Sequence, residues 1–200
     1  MPARTPPSPL ALAVLSLLEV GPLHPYGLQR LIRRWGKDAV VNVGQRASLY
    51  KTIARLERAG LVAVRHTERD QGFPERTVYE LTDDGRRQGR EWLEDMLTSP
   101  RNEFPRFPAA LSFAMLLGPR DLLGLLERRS AALRERVAVL DGELGAYAHL
   151  PRVTLIESEY QRAVVAAELE WVDAVAADLR SGALTWGHEQ LATLASSDLS

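Results

Sequence analysis

The spacing of apolar residues changes along the chain, and the changes mark out three helices, a hairpin and a fourth helix before a second helical region begins. Pro9 to Leu18 is apolar almost all round and ends at Gly21-Pro22, which predicts a buried first helix. Pro25 to Trp35 opens with a proline suited to a first helical turn, packs through Tyr26, Leu28, Leu31, Ile32 and Trp35, and stops at Gly36. His24 stands where it can cap or pack at that helix start. Residues 37–44 connect to a third helix, with Asn42 or Gln45 as its cap. At 100° per residue, Leu49, Ile53 and Leu56 share one face of it, while Ser48, Lys51, Arg55 and Arg58 gather on the other. Gly60 ends this helix and β-prone residues follow at once. Two strand-like runs, 61–68 and 76–81, flank the polar tip 69–75, and Thr82-Asp83-Asp84 then starts a fourth helix that runs to about Leu97.

Pro100, Pro105 and Pro108 mark a linker at 98–106. Beyond it come a short apolar helix, Ala109 to Leu117, a break at Gly118-Pro119, and a long helix over 120–148. In that long helix Leu123, Leu126, Ser130, Leu133, Val137, Leu140, Leu144 and Tyr147 recur at alternating spacings of three and four. A last long helix over 152–180 carries two apolar stripes: Ile156, Tyr160, Ala163, Ala167 and Trp171 on one side, Val165, Leu169, Val172, Ala176 and Leu179 on the other. A hairpin of two helices can cover only one of them. The second stripe is therefore expected to meet a second copy of the chain, with Leu133, Val137, Leu140, Leu144, Val165, Leu169, Val172 and Leu179 as interface; packing on the fourth helix of the same chain is the alternative.

The pattern predicts a mainly α fold with one small β-hairpin: a disordered leader (1–8), an N-terminal winged helix-turn-helix domain (9–97), the linker (98–106), a C-terminal antiparallel helical hairpin for dimerisation (107–182) and a tail (183–200). Composition adds to this in three ways. A hydrophobic share of 46% suffices for a buried core. The absence of cysteine excludes disulfides, thiol catalysis and cysteine-ligated zinc. No apolar run reaches membrane-spanning length and the short proline-rich leader does not suit a secretory signal, so the cytoplasm is the expected location.

The net charge of -1 hides a division: residues 1–97 hold 15 basic and 12 acidic residues (+3), residues 98–200 hold 10 and 14 (-4). Between Val20 and Asp70 the balance is 10 against 4, or +6, around the third helix. That points to a polyanion as partner. Enzyme chemistry finds no support, because His24, His66, His149 and His188 lack metal-like spacing and no phosphate loop or dinucleotide fingerprint is present. No cofactor or metal is expected.

Ser48-Leu49-Tyr50, Arg55-Leu56-Glu57 and Gly60-Leu61-Val62, then Arg76 with Val78-Tyr79-Glu80-Leu81-Thr82 and Gly85, resemble the PadR family of bacterial transcriptional regulators. Gly21-Pro22-Leu23-His24 with Tyr26 is similar to that family's first turn, with Pro25 where glycine is usual, and Ala47 replaces a common glycine before the hydroxyl-Leu-Tyr motif. Phe113-Ala114, Glu168-Leu169-Glu170-Trp171 and Leu179-Arg180 resemble its longer members. The resemblance implies a dimeric, winged-helix repressor acting on double-stranded DNA, and a dimerisation role for the C-terminal half.

In a winged helix the third helix enters the major groove. Gln45, Arg46, Ser48 and Lys51 are the candidates for base or groove contacts, since arginine pairs bidentately with guanine and glutamine with adenine, while Lys51 suits a phosphate equally well. Tyr50 can pack its ring and reach a phosphate with its hydroxyl, Arg55 suits a phosphate, and Arg69 and Arg76 sit where a wing touches backbone or minor groove. Two copies imply a pseudo-palindromic operator, and a hydrophobic small molecule is the expected effector. A protein-interaction adaptor on a winged-helix scaffold is the alternative from another class.

Overall fold

Three N-terminal helices pack around one apolar centre because each has a stripe that water would otherwise touch. The computed structural model describes residues 7–43, 46–68, 76–101 and 103–187, and only the backbone of Arg46, Glu68 and Arg76. The chain divides into two compact units, Met1–Asn102 and Glu103–Ser200. In the first, α1 (Pro9–Leu18), α2 (Pro25–Arg34) and α3 (Arg46–Arg58) precede an antiparallel hairpin, β1 (Val62–Glu68) and β2 (Arg76–Leu81), and α4 (Asp83–Thr98). Val14, Leu15, Leu28, Ile32, Leu49, Ile53, Leu56, Val62 and Trp92 form its core.

The helix starts follow from local chemistry. Ser8 caps α1 by accepting from the Ala11 N–H, and the His24 Nδ1 caps α2 by accepting from the Gly27 N–H at 2.8 Å, so His24 is structural. Of the two expected caps of α3, Asn42 stands four residues before its first residue, Arg46, and Gln45 lies outside the described residues. Leu23, in the turn between α1 and α2, exchanges two backbone hydrogen bonds with Tyr79 at 3.0 Å, adding a third short edge to the hairpin. Between β1 and β2 the register shifts between Val64 and His66, a bulge at Arg65 that bends the strand.

At the far end of α3 three residues hold helix, wing and α4 together. Gly60 takes a left-handed turn (φ 72°), which glycine adopts without steric cost. The Thr82 hydroxyl donates to the Gly60 carbonyl at 2.7 Å and accepts from the Gly85 N–H at 3.0 Å. Gly85 sits so close to the Leu61 carbonyl that a Cβ would come within 2.0 Å of its oxygen.

The second unit contains α5 (Arg106–Leu111), a 3-10 turn at Ala114–Leu116, α6 (Pro119–Ala146) and α7 (Ile156–Ser181). The expected single helix from Ala109 to Leu117 is thus two pieces: α5 begins earlier, at Arg106, which leaves Pro108 in its first turn where no N–H is needed. The start expected at Arg152 is a 3-10 turn after Pro151, and α7 begins at Ile156. The two long helices pack through Leu122, Leu126, Val172, Ala176 and Leu179, with Leu123, Leu133 and Val175 at the edges.

That packing corrects the assignment of the interface. Val172 and Leu179 are buried against α6 within one chain, Leu140 is buried on α6, Leu133 packs on the same core, and Val137, Leu144, Val165 and Leu169 are half-buried. The stripe expected to be covered, Ile156, Tyr160, Ala163, Ala167 and Trp171, is the exposed one. The reason lies in the flanks. Arg129–Glu168, Arg134–Asp173, Arg162–Asp141, Arg180–Glu127 and Arg136–Gln161 bridge the helices beside the Val165–Leu179 stripe with α7 in this rotation. The buried Ser130 hydroxyl donates to Asp173 within this set. Trp186 adds an indole N–H donated to the Leu117 carbonyl at 3.0 Å.

Gly85→Ala should lose about 3 kcal/mol of stability in urea unfolding, since the added Cβ meets backbone that cannot swing aside. Gly89→Ala, whose Cβ would meet Leu15 at an ordinary 3.6 Å, should be neutral or stabilising by up to about 1 kcal/mol.

Candidate nucleic-acid interface

The outward face of α3 is defined by what the inward face holds. Leu49 and Ile53 are 1% exposed and Leu56 is fully buried, each contributing about 2 kcal/mol by leaving water. Ala47, Tyr50, Lys51, Ala54 and Arg58 therefore point away from the core and are exposed, and Ser48 is half-buried at the edge. Arg58 donates from Nε to the Ala54 carbonyl at 3.2 Å, which ties it to its own helix. Lys51 has an extended stem and strongly hydrated ammonium suited to a mobile point contact.

Tyr50 and Arg55 differ from their expected surroundings. Tyr50 is 54% exposed, so more of its ring is free than packing at the edge of the apolar face requires. It lies close to Tyr79, whose hydroxyl is pushed above its usual range by burial first, then by Glu57 and Tyr50. Arg55 is half-buried: Nη2 lies 3.4 Å from the Ser8 hydroxyl, and Nε is buried without a hydrogen-bond partner among the described residues. The side chain thus braces α3 against the start of α1 as well as carrying charge at the surface.

Gln45 and Arg69 lie outside the described residues, as does the wing tip 69–75. Arg46 opens α3 and Arg76 opens β2, which places their backbones but not their side chains. The structure thus brings Ser48, Tyr50, Lys51 and Arg55 onto one helix beside the wing. It adds the exposed Arg65 at the β1 bulge, 3.7 Å from Glu80, and the exposed Arg30, Arg33 and Arg34 of α2. Gln29 was overlooked. It is buried on the apolar face of α2 between Leu28 and Ile32, and donates from Nε2 to the Val43 carbonyl at 3.3 Å. A polar residue at a helical spacing reserved for apolar ones is the signal that could have found it.

Among the described residues no group of histidine and acidic side chains could hold a metal ion, and no helix is long and apolar enough to cross a membrane. The chemistry on offer is that of a cationic, hydrogen-bonding helix face next to a hairpin.

Residues 14–91 match the Transcriptional regulator PadR-like family. That stretch runs from α1 into α4 and includes the helix, wing and glycine seam described above. No curated protein matches the chain. Among solved structures, Bacillus subtilis PadR in complex with operator DNA superposes with a TM-score of 0.69 at 18% identity, covering 85% of this chain and 98% of that one. Bacillus subtilis PadR in complex with p-coumaric acid gives 0.63 at 16% identity, covering 88% and 99%. The Vibrio cholerae virulence activator AphA gives 0.63 at 20% identity, covering 86% and 98%. These likenesses extend the shared fold over most of the chain. Residues 14–91 are thus similar to the PadR-like family of transcriptional regulators, and the chain shares the fold of the PadR regulators of known structure.

Proposed function

We propose that this protein is a dimeric repressor that reads double-stranded DNA with α3 and releases it when a hydrophobic small molecule binds. The observation that carries the reading is the exposed face of α3, with Tyr50 and Lys51 free above a core-locked Leu49, Ile53 and Leu56. Gln45, Arg46 and Ser48 contact base edges or the groove, Lys51 reaches the groove or a phosphate, and Tyr50 reaches a phosphate with its hydroxyl. Arg55 offers a phosphate the remaining hydrogens of its terminal Nη groups, and Arg69 and Arg76 serve the wing. The operator-bound relative supports the DNA contact and the p-coumaric acid complex supports an effector, each as a property of that relative.

The second copy packs against the exposed stripe of α7, where Ile156 and Tyr160 are 53% and 70% exposed. An apolar face of this kind on a helical hairpin costs free energy in water, and burial against its own symmetry mate removes that cost. A two-fold pair places two α3 helices in successive major grooves, about 34 Å apart, on a pseudo-palindromic site.

Lys51→Ala should weaken binding to the selected operator about tenfold and lower the slope of log affinity against log salt by about one. Unchanged affinity and slope would remove α3 from the reading role. Ile156→Glu with Tyr160→Glu should turn a dimer into a monomer in light scattering while helix content stays the same. A dimer that persists would place the interface elsewhere.

A further inference from the structure

The angle and depth of α3 depend on how its two ends are held, and they are held differently. At the C-terminal end, Gly60, Thr82 and Gly85 form the seam already described. At the N-terminal end the described chain leads in through Val41, Asn42 and Val43, of which Val41 and Val43 are buried and Asn42 is exposed. Two alternating valines fix the depth of this segment. The Val41 N–H donates to the Lys37 carbonyl at 2.8 Å, which orients the peptide ahead of Val41, and Val43 stands two residues further on.

A buried amide adds a side-chain constraint nearer to α3. Gln29 is only 6% exposed, and its Nε2 donates to the Val43 carbonyl, 14 residues away in sequence and three before α3 begins. Burying an amide among Leu28 and Ile32 is costly unless its hydrogen bonds are made, and a leucine or methionine there would pack the core without that cost. A polar residue in this place is therefore poorly explained by packing and well explained by what it holds.

We propose that Gln29 is a positioning residue for sequence reading: its hydrogen bond to the Val43 carbonyl aims the first turn of α3 at the base edges. This rests on α3 being the reading helix. Base-edge hydrogen bonds lose strength steeply with angle and distance, whereas phosphate attraction to Lys51 falls off slowly. Loss of the Gln29 bond therefore reduces discrimination between sequences more than it reduces attraction to DNA in general.

The test uses the full chain and two duplexes: one selected by the wild-type protein from a random pool, and one of equal length and composition with scrambled sequence. Gln29→Met fills similar volume but cannot donate, and Gln29→Asn keeps an amide one methylene too short to reach. Both should lower affinity for the selected duplex about tenfold, with affinity for the scrambled duplex and the salt slope within twofold of wild type. Ile32→Val, a core change that leaves Gln29 in place, should keep the wild-type ratio. An unchanged ratio in the Gln29 variants, an equal loss in Ile32→Val, or failure of both Gln29 variants to fold overturns the proposal in favour of a structural role. Lys51→Ala separates the two readings: if it alters neither affinity nor slope, α3 is not the reading helix, whereas an effect of Lys51→Ala beside a silent Gln29 leaves α3 reading and removes only Gln29.

Discussion

A helix can present one face to a partner only if its other face cannot turn, and in α3 that condition is met by three side chains. Leu49, Ile53 and Leu56 are buried in the N-terminal core with residues of α1, α2 and β1. Close packing makes rotation of such a helix expensive, because every apolar contact is lost together. The cationic and hydroxyl groups on the outer face inherit this rigidity. Lys51 and Tyr50 can move at their tips, but their Cα positions are set by side chains that never reach solvent.

The seam at Gly60, Thr82 and Gly85 extends the same constraint to the wing. Thr82 uses one hydroxyl twice, as a donor to the end of α3 and as the cap of α4. Leu23 and Tyr79 do the corresponding job at the outer edge of the hairpin, where two backbone hydrogen bonds tie the first turn of the chain to β2. Helix and wing are therefore fixed to each other through one threonine hydroxyl together with backbone hydrogen bonds.

In the C-terminal unit, apolar burial and charge cooperate in a different way. The ion pairs across α6 and α7 are largely exposed and individually weak. Their value is in register: a slide or rotation of α7 breaks several at once, so they select among packings of similar apolar area. The Arg129 guanidinium also stacks 3.5 Å over the Phe107 ring, which meets Trp171 edge-on, and this joins α5 to the hairpin. What remains outside is the Ile156–Trp171 stripe.

The order of elements, the wing, the glycine stop at the end of α3 and the amphipathic division of that helix were legible in the chain because each depends on local rules: periodicity, turn chemistry and caps. Thr82 and Pro25 signal helix starts by their own chemistry, and Leu49, Ile53 and Leu56 follow from 100° per residue. The choice between the two stripes of α7 was not local, since both are apolar and helically spaced; it is decided by charges on α6 that lie 21 to 53 residues away in sequence. The bridge from Leu23 to Tyr79, the contact of Arg55 with Ser8 and the bond from Gln29 to Val43 likewise join residues that no pattern pairs. Periodicity determines which residues share a face, whereas only the folded chain decides which face meets which, because that depends on long-range packing and polar partners brought together at once.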